Sequence, residues 1–479
     1  MAEAFYERLS FQDSTFLALE SASSHMHVSG IAIFETAGLR RDDGGIDIER
    51  IRRYVASRLH SIPRYRQVIR HVPVEGHPVW VDDAHFNLAY HVRHSCLPRP
   101  GDEAQLKLMA SRIMAQKLDR AKPLWEMWIV EGLDGGERFA MISKVHHCMI
   151  DGMSGVELMS VLLSLEPNGV IEDPEPWTPR PEPSALELLR AESGRWFVGP
   201  LDLVRAAPQV AADLFDPGSE LRARVTALGE ALQSGMHRLD ETPLNRPIGP
   251  HRRFDWLKMP LARVKEIKRQ IGGTLNDAVL ATVAGALRRY LGRKGVDLEA
   301  IDFWVAAPVS MRSDDERGTL GNRVSSWLVP MPLAEADPRL RVRRITEVTA
   351  ELKESNQALG AEALMQVGEW TPSTLLSVGA RMVRRALPMN MIVTNVPGPQ
   401  FPLYLLDARL ECNYGQVPLM DYIGMGIALF SYDGDLCWGF NADWDVVPDV
   451  AEFADDVRAS FAELEEAARS MSVASADTA

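Results

Sequence analysis

The sequence predicts an α/β protein built from two mixed-sheet domains, and three observations carry that expectation. Strand-like stretches of period two alternate with helical stretches of period three to four along most of the chain. The alternation breaks after Leu165, where the run from Glu166 to Pro183 holds six prolines (Pro167, Pro174, Pro176, Pro179, Pro181, Pro183). Such a composition makes a stiff, extended connector. A second mixed segment then opens near Thr242. The expected spans are an N-terminal half over 1–165, a connector with linker helices over 166–241, a C-terminal half over 242–469 and a disordered tail over 470–479.

In order, Leu9 to Glu20 reads as a helix with Asp13 and Ser14 near its start. His27 to Glu35 alternates as a strand, Ile48 to Leu59 is helical and arginine-rich, and Val79 to Val92 reads as further strand. Leu106, Met109, Ile113 and Met114 fall on one side of a helix over Glu103 to Lys117, which Pro123 prevents from continuing. Leu124 to Val130 and Phe139 to His147 form a hairpin around Asp134-Gly135-Gly136. Two or three helices, interrupted at Pro200, Pro208 and Pro217, fill Ser184 to Leu239. In the second half, Leu280, Val283, Ala284, Leu287 and Leu291 share one helical face after Gly272-Gly273-Thr274. Trp304 to Val309 and Met391 to Val396 are strands, and Leu340 to Leu359 is a helix. Asp433-Gly434 between Leu429–Tyr432 and Cys437–Asn441 is a strong hairpin signal, and Asp449 to Arg469 is the last helix.

At 479 residues the chain can hold two or three domains, and 46% apolar with 25% charged residues is ordinary for a soluble globular protein. A net charge of −14 argues against a nucleic-acid partner. Cys96, Cys148, Cys412 and Cys437 lack CxxC spacing, so neither a disulfide framework nor a zinc site is expected, and a reducing cytoplasm fits. The start MAEAFYERLSFQD has no basic and apolar leader pattern. The uncharged tract Ala386 to Leu406 is long enough to span a bilayer but carries Pro388, Pro397, Pro399 and Pro402, so it reads as strand and loop. Any membrane contact is then peripheral.

The most unusual stretch is Lys144-Val145-His146-His147-Cys148-Met149-Ile150-Asp151-Gly152, two adjacent histidines followed after three residues by Asp-Gly. It sits where a strand ends and a helix with Val156, Met159 and Leu163 begins. On the strand's period of two, His147 shares a face with Phe139, Met141 and Val145, while His146 points the other way. Further along come Pro123-Leu124-Trp125, Thr242-Pro243-Leu244-Asn245, Asn276-Asp277, Pro308-Val309-Ser310-Met311-Arg312 and Asn395-Val396-Pro397-Gly398-Pro399.

HHxxxDG is the signature of acyltransferases related to chloramphenicol acetyltransferase and to peptide-synthetase condensation domains. With the other stretches, it makes the chain resemble the bacterial wax ester synthase/acyl-CoA:diacylglycerol acyltransferases from Leu9 to about Asp449. The resemblance implies two chloramphenicol-acetyltransferase-like halves with the active site at their interface. It implies transfer of a fatty acyl group from acyl-CoA to diacylglycerol or a long-chain alcohol, with no cofactor beyond acyl-CoA as co-substrate. It also implies a cytoplasmic protein in peripheral contact with the inner membrane face or lipid droplets. Within the superfamily, a polyketide or glycolipid hydroxyl is the alternative acceptor; a non-catalytic acyl-lipid binder is the alternative class.

Acyl transfer to an alcohol needs a base for the hydroxyl, stabilisation of the oxyanion and an acid for the departing thiolate, and one histidine can be base and then acid. His147 is that residue by resemblance and position; a satisfied core histidine is the bland reading. His146 is read as supportive. Adjacent histidines diverge on a strand and no HExxH is present, so no metal is expected. Asp151 either orients His147 or, as in the wider superfamily, forms a structural ion pair for which Arg312 is the candidate partner. Gly152 is a turn glycine. Thr274-Leu275-Asn276-Asp277 has the form of a capping box, placing Asn276 in a first helical turn where it either donates to the oxyanion or only helps cap. Gly152-Met153-Ser154-Gly155 fails as a nucleophile elbow because Val156 stands where glycine is required. Cys148 reads as a buried, inert thiol. Pro123, Leu124 and Trp125 either line the acyl tunnel or pack the core. Seven cations over His251 to Arg269 either attract anions or form a solvated face, and Trp196-Phe197-Val198 with Leu201, Leu203 and Val204 either meets lipid or covers the domain junction.

Overall fold

A computed structural model describes residues 5–149, 155–192, 240, 242–310, 324–354 and 389–476. The first half contributes β1 (Glu7–Arg8), α1 (Phe11–Leu19), β2 (His27–Glu35), α2 (Ile48–Arg58), β3 (Gln67–His71), β4 (Pro78–Asp82), α3 (Leu88–His91), β5 (Val92–Cys96), α4 (Glu103–Ala115), β6 (Trp125–Leu133), β7 (Arg138–His146) and α5 (Gly155–Leu162). The second half contributes β8 (Arg252–Pro260), α6 (Leu261–Ile271), α7 (Leu275–Arg293), β9 (Trp304–Ser310), β10 (Val324–Pro330) and α8 (Pro338–Glu354). It closes with β11 (Met391–Pro397), β12 (Tyr404–Leu405), β13 (Ala408–Gln416), β14 (Met425–Tyr432), β15 (Asp435–Asp443) and α9 (Val450–Ala476).

Among the described residues these strands make two six-stranded sheets, ordered β12-β13-β2-β7-β6-β5 and β10-β9-β11-β14-β15-β8, and a small sheet β1-β4-β3. Both large sheets are mixed: β5 runs parallel to β6, and β11 runs parallel to both β9 and β14. Central strand β14 is buried at every residue, as a strand covered on both faces must be, and its sequence MGIALFSY is accordingly an almost unbroken apolar run. Helix α7 is buried continuously from Asp277 to Leu287 because it lies between the sheet and its neighbours α8 and α9; it is apolar nearly all round.

The halves are stitched together by β12 and β13, which come from the second half but pair into the first sheet, β13 running antiparallel to β2. The C-terminal half expected over 242–469 therefore does not keep all its strands. Where β13 crosses β15, the backbones touch: a Cβ on Gly439 would lie 2.0 Å from the Gly415 carbonyl oxygen, so only glycine fits. A shared apolar cluster joins Ile31, Ile33 and Val130 of the first sheet to Phe254, Trp256 and Cys437 of the second.

Several elements differ from the sequence expectation. Val79 to Val92 is not one strand: β4 stops at Asp82, because Asp83 and Asn87 side chains accept the His85 and Ala89 backbone N–H groups and turn the chain into α3. Strand β3 was not expected. The last helix does not stop at Arg469 but runs to Ala476, the tail having neither glycine nor proline to end it; 470–476 is helical instead of disordered. Residues 167–184 of the proline-rich connector form neither helix nor strand, and the segment is strapped to the small sheet. Arg180 donates to Asp82, Arg66 lies over Trp177, and Leu188 buries itself among Val68, Val72, Val79 and Val81.

Candidate active site

Strand β7 ends at His146, one residue earlier than expected, and His147 opens a single 3₁₀ turn to Met149. The turn is clamped from both sides. The His146 backbone N–H donates to the Leu124 carbonyl at 2.9 Å, just before β6, and the His147 N–H donates to the Met26 carbonyl at 2.8 Å, just before β2. The register of β2 and β6 on β7 thus aims both imidazoles. Met26 in turn packs on Met420 and Ile423, and Ser24 Oγ donates to the Leu419 carbonyl at 2.6 Å, so this end of the sheet abuts the second half.

The two rings, one ending the strand and one opening the turn, have different surroundings. His147 stacks on Phe16 of α1, ring centroids 3.8 Å apart at 28°. Its Nδ1 is sealed from solvent, and among the described residues no hydrogen-bond partner from another residue reaches it. Burial lowers its pKa to about 4, its own backbone offsetting this in part, so the imidazole is neutral at physiological pH. His146 is fully buried and its pKa is lowered to about 3, chiefly by burial with help from Arg120. Its Nδ1 accepts from the Cys148 backbone N–H at 3.2 Å and lies 3.0 Å from Cys148 Sγ, which assigns the remaining proton to Nε2. Burial pushes the Cys148 thiol well above its ordinary value, so it stays protonated and is a poor nucleophile.

Two further histidines, the half-buried His25 and the buried His27, extend this group and were not anticipated. His27 is the register partner of His146 on β2, with ring centroids 6.1 Å apart, and His25 follows at 5.5 Å. Both are held below the ordinary imidazole range by burial. The His25-Met26-His27 spacing was visible; the pairing of β2 with β7 that brings it to the motif was not. Phe16 and Lys144 were missed for the same reason, since each acts through a partner distant in sequence.

Asp151, Gly152 and Arg312 lie outside the described residues, as does the Trp196 to Val204 cluster. Leu124 and Trp125 are buried in the first core; Trp125 Nε1 donates to the Tyr65 carbonyl at 2.9 Å and the ring stacks on His91. Pro123 begins the same buried run. At α7, Thr274 Oγ1 accepts the Asp277 N–H at 3.1 Å and Asp277 Oδ2 accepts the Thr274 N–H at 2.7 Å, the capping box the sequence suggested. Thr349 of α8 donates to the other Asp277 oxygen at 2.8 Å. Asn276 is half-buried beside this cap, and among the described residues no hydrogen bond or ring contact joins it to His147. The basic segment from His251 to Arg269 is largely neutralised: Arg252 pairs with Asp443, Lys258 with Asp435, Arg263 with Glu465 and Arg269 with Glu266, while Arg253 lies over Trp444. Among the described residues no group of three or more histidine, cysteine or acidic side chains is arranged to hold a metal.

The model of the wax ester synthase/diacylglycerol acyltransferase catalytic domain matches residues 9–279, and that of the WS/DGAT C-terminal domain matches residues 320–465. A putative diacylglycerol O-acyltransferase of Mycobacterium tuberculosis (strain CDC 1551 / Oshkosh) is 30% identical over 472 residues, covering 96% of this chain and 90% of that protein. A second from the same strain is 32% identical, with 96% and 98% covered. Among solved structures, the wax ester synthase/diacylglycerol acyltransferase from Marinobacter aquaeolei VT8 superposes with a TM-score of 0.68 at 24% identity, covering 96% of this chain and 99% of that one. The starter condensation domain of rhizomide synthetase has the same fold at a TM-score of 0.56 and 12% identity, with 97% and 94% covered. Two matched domains and relatives aligned along nearly their whole length lead to one conclusion: the chain belongs to the wax ester synthase/diacylglycerol acyltransferase family.

Proposed function

We propose that the chain is an O-acyltransferase that moves a fatty acyl group from acyl-CoA to diacylglycerol, to a long-chain alcohol, or to both, by direct transfer through His147. With Nδ1 sealed, Nε2 is the nitrogen left to meet substrate. It takes the proton of the acceptor hydroxyl as the oxygen attacks the thioester carbonyl; collapse of the tetrahedral oxyanion breaks the carbon–sulfur bond, and the same proton passes to the departing thiolate. Asn276 donates to the oxyanion from the first turn of α7, its helix held by the Asp277 cap. Asp151 pairs with Arg312 and holds the turn that Gly152 opens, and His146 supports the turn from within. Cys148 forms no acyl-enzyme.

The observation that carries this reading is the neutral, oriented His147 in a chain of this family. The acceptors are lipophilic, which places the enzyme in peripheral contact with a membrane or lipid-droplet surface; among the described residues no helix is long and apolar enough to cross a membrane. Release of coenzyme A thiol from palmitoyl-CoA, measured against a panel of diacylglycerol, hexadecanol and a glycolipid, tests it. Turnover with the first two is expected, and turnover with the glycolipid alone would overturn the assignment.

A further inference from the structure

We propose that the cleft beside the connection between α4 and β6 is an anion subsite that holds the phosphates of coenzyme A. The proposal rests on the acyl-CoA reading above and gives that substrate a place outside the acyl site. The cleft is an open surface depression of about 570 Å³, lined by Tyr90, Arg93, Lys117, Arg120 and Glu126 among others. Cations outnumber carboxylates in and around it: Arg93, Lys117, Arg120, Lys122 and Lys144 stand against Glu20, Asp119 and Glu126. In a chain of net charge −14, this local positive excess marks a place where a polyanion gains.

The cations are held in place from beneath. Lys144 is wholly buried, and its Nζ donates at 2.9 Å to both the Ile113 and Gln116 carbonyls, pinning the end of α4 from which the loop departs. Lys144 also pairs with the buried Glu126 at 3.4 Å, and the other Glu126 oxygen meets Arg93 at 3.0 Å. Leu118 is buried and anchors the loop between the exposed Lys117 and Arg120. Lys117 and Arg120 share the single carboxylate of Glu20, and both side chains stay 51% and 41% exposed, within reach of a ligand. Arg93 and Lys122 both lie against the Tyr90 ring, 4.6 and 4.8 Å from its centroid. The cleft also abuts the reaction site. Arg120 donates to the Leu17 carbonyl at the end of α1, and Phe16, one residue earlier on the same helix, carries the stack on His147.

The test compares palmitoyl-CoA with palmitoyl-pantetheine, which has the same acyl thioester and no phosphate, in the wild type and in Lys117→Ala/Lys122→Ala. The double variant is expected to raise KM for palmitoyl-CoA roughly tenfold with kcat unchanged, to leave palmitoyl-pantetheine kinetics alone, and to weaken competitive inhibition by adenosine 3′,5′-bisphosphate. Equal effects on both thioesters, or on neither, would overturn the subsite. If instead the variant loses binding to phosphatidylglycerol vesicles with KM for palmitoyl-CoA unchanged, the cations serve a lipid surface and the proposal is wrong. A wild type that uses palmitoyl-pantetheine but gains nothing from the phosphates refutes the subsite alone. A wild type inert with both thioesters refutes the acyl-CoA reading, and the subsite falls with it.

Discussion

His147 titrates well below a free imidazole, and that shift has two consequences with definite signs. The neutral imidazole persists down to about pH 4, so the proposed base role predicts a kcat/KM that stays flat from about pH 8 to about pH 5 instead of falling near 6.5. Stability behaves differently. With folded values of about 4 and about 3 for His147 and His146 against about 6.5 unfolded, the unfolded chain binds more protons throughout that interval. The stability associated with their neutral forms is complete above pH 6.5 and is lost as pH falls toward their folded values. The urea midpoint should therefore drop between pH 7 and pH 5, a window above the depressed carboxylates Asp82 and Asp449, and a midpoint flat across it contradicts the neutral pair. At this scale the sequence was informative about position and poor about surroundings. HHxxxDG marked the paired histidines at the end of a strand, because that pattern depends on adjacent residues alone. Phe16 and His27 reach the motif only through tertiary pairing, which no local pattern encodes.

Helix α7 shows what a single element contributes. Thr274 and Asp277 cap it through bonds spanning three residues, so the cap could be read from four letters of sequence; the Thr349 bond that secures Asp277 comes from 72 residues away and could not. Asn276 occupies the turn where unpaired N–H groups favour negative charge. If it donates to the oxyanion, Asn276→Ala should lower kcat by about 10²–10³ with little change in melting temperature. If it only supports the cap, stability falls by about 1 kcal/mol and the rate survives. Thr274→Ala is the control: it should lose stability by about that amount and keep its rate. Strand β4 and helix α3 show the limit of the period-two pattern, which cannot tell one long strand from a strand, an Asx turn and a helical turn in sequence.

At the scale of the whole molecule, two mixed-sheet halves were legible because apolar periodicity changes on either side of a proline run. The exchange of β12 and β13 was not, since a strand's own sequence does not name its partner. That exchange has a testable cost. A fragment ending at residue 241 lacks β13, leaves the edge of β2 unpaired and uncovers Ile31 and Ile33, so it should be insoluble or molten. A monomeric fragment with a cooperative melt would show that the first half folds without its borrowed strands. The full-length enzyme also offers the most direct test of how it works: coenzyme A release from palmitoyl-CoA, measured side by side for wild type, His147→Ala and His146→Ala, with melting curves for each. His147→Ala should lose about 10²–10⁴ of the rate while remaining folded, and His146→Ala should lose less. A folded His147→Ala protein that turns over at close to the wild-type rate would contradict the mechanism.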